Sequence, residues 1–136
     1  MKLFWAELID AASPPALRRK GLLQLSALTL VLQGVHLAVA WLAVPFLPDL
    51  PRWVAWAVSG FFGLILLVVG LHLSRLSLRQ PVQQIFLAAL WLGVACLAAI
   101  FAARMGLKLE VGLFLAFGLV GYGMALGRLW FGLDKA

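Results

Sequence analysis

Acidic side chains are scarce in this sequence. Five Asp and Glu stand against eleven Lys and Arg in 136 residues. None of the five lies inside an apolar run: Glu7 and Asp10 precede the first run, Asp49 falls between the first two, Glu110 opens the last and Asp134 follows it. That placement excludes catalysis by paired carboxylates. It also removes the intramembrane carboxylate that ion-coupled pumps and transporters ordinarily use. The single cysteine, Cys96, excludes an internal disulfide and a CxxC motif. There is no HxxxH pair, no Ser/His/Asp set and no glycine-rich loop after a strand, so no catalytic or phosphate-binding constellation is present. The reading is of a protein that is not an enzyme. The lack of Asn and the lone Thr suit a GC-rich bacterial or a thermophilic source.

What the chain has instead is apolar length. Residues of the apolar classes make up 65% of it and charged ones 12%, against roughly 45–50% and ~25% in a soluble domain. Four runs, Gly21–Val44, Trp53–Ser74, Val82–Ala103 and Val111–Phe131, each reach the ~20 residues needed to cross a bilayer as a helix. The first run is too long for a secretory signal and is followed by three more. The expected fold is an all-α integral membrane protein, an up-down-up-down bundle of four transmembrane helices over 21–136. A short amphipathic interfacial helix and basic linker occupy residues 1–20.

The charge surplus sorts by side. Lys2, Arg18, Arg19, Lys20, Arg75, Arg79, Arg128 and Lys135 fall on one side of the four spans, and Arg52, Arg104 and Lys108 on the other. By the positive-inside rule both termini are cytoplasmic. The basic residues are then topology signals and lipid-headgroup contacts, and nucleic acid is not an expected partner. Trp41, Phe46, Trp53 and Trp56 form an outer aromatic belt, with Trp130 and Phe131 at the inner face. The expected location is a bacterial cytoplasmic or thylakoid membrane.

The leader "MKLFWAELIDAASPP" places Phe4, Trp5, Leu8, Ile9 and Ala12 on one helical side, with Glu7 and Asp10 opposite. Such a helix lies on the inner leaflet or, because its polar face is acidic, docks on a partner subunit through Trp5, Glu7 and Asp10.

The stretch "LTLVLQGVHLAV" (28–39) carries Gln33 and His36 in mid-span. Ser26, Thr29, Gln33, His36, Ala40 and Ala43 follow steps of 3, 4, 3, 4 and 3, which puts them on one seam facing protein rather than lipid. Gln33 and His36 are read as interhelical hydrogen-bond partners. Matching small-residue seams are Gly60, Gly63, Leu67, Gly70 and Ser74 in the second span, Ala89, Leu92, Cys96, Ala99 and Ala103 in the third, and Gly112, Ala116, Gly123 and Gly127 in the fourth. The fourth span also has a second small face, Gly118, Gly121, Ala125 and Gly132, which is assigned to a neighbouring protein.

No cofactor is expected, and no metal site. His36 and His72 echo each other in "GVHL" and "GLHL". They stand about 21 Å and about 3 Å from the inner ends of their spans, too different in depth to share a haem. A lone His36 ligating a haem or chlorophyll held with a partner is the one cofactor arrangement open. The leading functional expectation is a non-enzymatic accessory, assembly or stabilising subunit of a larger membrane complex, with membrane lipid and other subunits as partners. The alternatives are a small homo-oligomeric channel or transporter, with the Ser26–His36 stripe lining a pore between protomers, and a haem-, chlorophyll- or quinone-binding membrane subunit.

Overall fold

A computed structural model describes residues 5–10, 12–75 and 81–132, with the side chain of Trp5 outside the described set. Five α-helices follow in order: α1 Trp5–Ile9, α2 Pro15–Ala43, α3 Arg52–Arg75, α4 Pro81–Arg104 and α5 Lys108–Gly132, with a 3-10 turn at Val44–Phe46. No strand occurs among the described residues. The helices α2 to α5 are long and apolar enough to cross a membrane, and they mark the chain as a membrane protein. The basic residues Lys2, Arg79 and Lys135 lie outside the described residues, as do Phe4 and the whole loop 76–80 between α3 and α4.

The helix ends follow local chemistry. Pro15 begins α2 and Pro81 begins α4, where a missing N–H costs nothing. As a consequence α2 starts six residues before the first apolar run, and Arg18, Arg19 and Lys20 form its first turns instead of a linker. The α4–α5 connection is three residues long. Gly106 adopts φ +75°, the left-handed conformation that favours glycine, and the Leu107 N–H bonds the Ala102 carbonyl at 2.8 Å. That is a Schellman-type cap, with Leu107 buried beside Ala102 and Ala55. At the same end, Arg104 donates to the Leu47 carbonyl at 3.4 Å and to Asp49 at 3.3 Å, tying the α2–α3 loop to α4.

The arrangement is centred on α4. Helices α2, α3 and α5 each pack on α4 and touch one another little or not at all. Half of the most apolar stretch of α4 is buried, against 6% in α2, 22% in α3 and 17% in α5. Its alanines explain this. Ala88, Ala89, Ala95, Ala98, Ala99 and Ala102 are buried, and at 100° per residue they spread around much of the helix. Each of the three hydrophobic clusters includes α4 residues: Ile85 with Leu8, Leu22, Leu25 and Leu129; Ala88 and Leu92 with Tyr122 and Ala125; Ala102 with Ala55 and Leu107.

Three seams read from sequence are corrected. In α3 the buried residues are Ala55, Ser59, Leu66 and Val69, one position round from the Gly60–Ser74 series. Gly60 and Gly63 face open space and Leu67 is exposed. In α4 the burial is broader than one seam, and Ala103 is exposed. In α5 the two faces are reversed. Gly118, Tyr122, Ala125, Leu129 and Gly132 are buried within the chain, so Gly118, Gly121, Ala125 and Gly132 are not turned outward. A Cβ on Gly118 would stand 2.7 Å from that of Ala95, and one on Gly121 would overlap the Trp91 indole. Gly112, Gly123 and Gly127 have no neighbour within 4 Å of such a Cβ. The physical reason is size: Leu92 and Trp91 of α4 need the notches that Gly118, Gly121 and Gly70 leave.

The leader also closes on its own chain. Leu8 is fully buried in the cluster with Leu22, Leu25, Ile85 and Leu129. Arg18, 2% exposed, donates to the Leu8 carbonyl through Nε and Nη2 at 3.4 and 3.3 Å. Asp10 accepts from the Ala12 N–H at 2.9 Å and from the Ser13 hydroxyl at 3.4 Å, which makes it the cap of the turn that leads into α2. Glu7 is half-buried, with Oε2 sequestered and without a partner.

Candidate functional site

The polar residues of the first span divide into a buried group and an outward one. Ser26 and Thr29 are 6% and 3% exposed. The Thr29 hydroxyl donates to the Ser26 carbonyl at 2.9 Å, which satisfies it on its own helix. The hydroxyls of Ser26 and, on α5, of Tyr122 are buried without a hydrogen-bond partner among the described residues. One turn further, Gln33 donates from Nε2 to the Ala89 carbonyl of α4 at 2.9 Å. Its amide lies over Gly93, where any Cβ would collide with it. Gly93 therefore provides the space for this cross-helix bond, a role invisible in the sequence because Gly93 belongs to none of the read seams.

His36 continues the same heptad spacing but not the same burial. It is exposed, and its Nδ1 lies 3.2 Å from the Leu32 carbonyl one turn back in the same helix. The expectation of an interhelical bond from His36 is thus corrected: the ring bonds to its own helix. The other ring nitrogen, Nε2, makes no hydrogen bond to the described residues. The surrounding helix is uncovered as well, with Val31, Val35 and Val39 between 60% and 64% exposed. Lipid alone is a poor environment for such a group, since ionisable side chains within spans almost always face protein or water.

His72 is exposed near the end of α3, in its last turn. No group of three or more His, Cys, Asp or Glu close enough to hold a metal ion occurs among the described residues. The α5 glycines and Ala125 that were assigned to a neighbour lie within the chain, and of the leader Asp10 is engaged by its own turn.

A second polar feature was missed in sequence. Trp91 of α4 sits between Gly70 of α3 and Gly121 of α5, and its Nε1–H donates to the Phe117 carbonyl at 2.9 Å. Because α3 and α5 pack on α4 and not on each other, a cleft of about 340 Å³ opens beside the ring. Gln84 and Arg128 reach this cleft although neither belongs to a read seam. The available signal was a large aromatic at mid-span, opposite glycines on two other spans.

No known family model, curated protein or solved structure matches the chain. The geometry of its own residues carries the functional reading.

Proposed function

We propose that the protein is a non-enzymatic accessory, assembly or stabilising subunit of a larger membrane protein complex. The observation that carries this is the outward His36 on a span that its own chain scarcely covers. A mid-span imidazole with one unsatisfied nitrogen is stabilised by a hydrogen-bond partner, and lipid tails supply none. A neighbouring transmembrane helix does. The channel reading has less support, because it needs the Ser26–His36 stripe to face a neighbouring protomer, and Ser26 and Thr29 are buried against the chain's own helices.

The membrane arrangement that goes with this reading is an alternating one. Leu22 and Leu25 group with Ile85, Gln33 reaches Ala89 and Arg104 reaches Leu47, so residue numbers rise together along α2 and α4. Ala102 groups with Ala55 and Gly70 faces Trp91, while Ile85 groups with Leu129 and Ala95 faces Gly118, so numbers fall along α3 and α5 as they rise along α4. Up-down-up-down passage, with both termini in the cytoplasm of a bacterial cell, fits this order and the basic asymmetry.

The test is site-specific photocrosslinking in native membranes, with the crosslinker at position 36 and at position 31 as a control. A discrete adduct to another polypeptide from position 36 is the expected result. Adducts to lipid alone at 36 would defeat the reading. A second reading is favoured by the same unpartnered Nε2: a haem or chlorophyll held between this chain and a partner, with His36 as a ligand. An absorption spectrum of the natively purified protein, with and without His36→Leu, separates the two.

A further inference from the structure

We infer that the cleft between α3 and α5, floored by Trp91, binds one anionic phospholipid. The two helices pack on α4 rather than on each other, so the cleft is built into the fold and opens sideways, where lipid is. Its volume of about 340 Å³ is within the range of small-molecule sites, roughly 300–1,000 Å³.

The cleft has one apolar and one polar end. Its apolar walls are Gly70, Gly121 and Met124 around the Trp91 ring, with Leu73 nearer the end of α3, a surface suited to an acyl chain. Toward the end of α5 it is lined by Ser74, Gln84 and Arg128. Gln84 is 1% exposed, a buried amide at the base, while Arg128 is exposed at the mouth. Arg128 stands four residues before Gly132, about 6 Å along the helix axis, which is headgroup depth for a span ending there. A cation at headgroup level above an apolar slot between two helices is the arrangement that captures anionic lipid heads. Phosphatidylglycerol matches both ends: its phosphate meets Arg128 and a chain lies along Trp91. A zwitterionic lipid of the same chain length fills the slot equally but gains less from the cation.

The experiment is native mass spectrometry of the full chain, released from detergent after equilibration with an equimolar mixture of phosphatidylglycerol and phosphatidylcholine. The wild-type protein is expected to retain one phosphatidylglycerol in preference to phosphatidylcholine. Arg128→Gln should lower that preference about fivefold, the equivalent of about 1 kcal/mol for one basic residue at an anionic surface. Ser74→Phe fills the polar end from an exposed position and should abolish the single adduct for both lipids. Arg52→Gln, an exposed cation at the other end of α3, should behave as wild type. Size-exclusion profiles show that each variant is folded. Equal preference in wild type and Arg128→Gln would overturn the inference. So would an unstructured ladder of adducts insensitive to Ser74→Phe, or retention of a neutral lipid or peptide in place of phosphatidylglycerol.

Discussion

Gln33 and Gly93 share one space: the carboxamide that bonds the Ala89 carbonyl at 2.9 Å occupies the position a Cβ on Gly93 would take. Interhelical hydrogen bonds in membranes average about 0.6 kcal/mol and reach about 1.7. Gln33→Ala should therefore destabilise the chain by about that amount. Gly93→Ala should destabilise it more, because the amide must leave both its bond and its site. The double variant should be less destabilised than the sum of the two, since an alanine at 33 no longer contests the new methyl. Reversible unfolding in mixed micelles, analysed as a double-mutant cycle, measures the coupling. Strict additivity would mean the two residues do not compete.

The fourth span gives opposite outcomes for neighbouring glycines. Gly118→Ile drives a branched side chain into Ala95 and should lower accumulation of the chain severely. Gly123→Ile and Gly112→Ile place theirs in open space and should leave the chain folded and inserted. Quantitative immunoblotting of membranes beside wild type checks this. Loss of the Gly123 variant with survival of the Gly118 variant would invert the packing described for α5.

Trp91 predicts a reversal of sign. Trp91→Ala removes a half-buried indole and its bond to Phe117, and should cost about 3 kcal/mol, at the low end for large aromatic truncations. Gly121→Ala in the wild-type background collides with the indole and should destabilise. In the Trp91→Ala background the collision with the indole is gone, and the better helix propensity of alanine, worth up to about 1 kcal/mol, should make the change stabilising. Unfolding midpoints of the four proteins decide it.

Both termini should report on the same face of the membrane. Reporter domains active only outside the cytoplasm, fused at either end, are expected to stay silent, and a fusion within residues 45–51 to be active. Activity from either terminus defeats the alternating arrangement.

The long elements were legible in the sequence because a run of about twenty apolar residues admits one structure in lipid. The polar seam was legible as far as Gln33, since Ser26, Thr29 and Gln33 all face their own chain. It failed at His36 because spacing defines a face of a helix, while burial depends on whether another helix covers that face at that height. The faces of α5 were assigned in reverse for a related reason. Glycines mark where another group comes close, and both faces carry glycines; Trp91 and Leu92, the groups that come close, are on another helix and fix the inward side. The central place of α4 was hidden in its alanines, which read equally as one seam or as several.

A hub helix that is third in the chain has a consequence for biogenesis. The first two spans leave the ribosome with little to pack on, since each finds its main partner in α4. Only α5 follows a partner already made, and the tight turn at Gly106 delivers the two together as a hairpin. Until α4 is made, Gln33 has no Ala89 carbonyl to bond and α3 has no helix to pack on. Truncation after Arg75 is therefore expected to leave a fragment that inserts without folding.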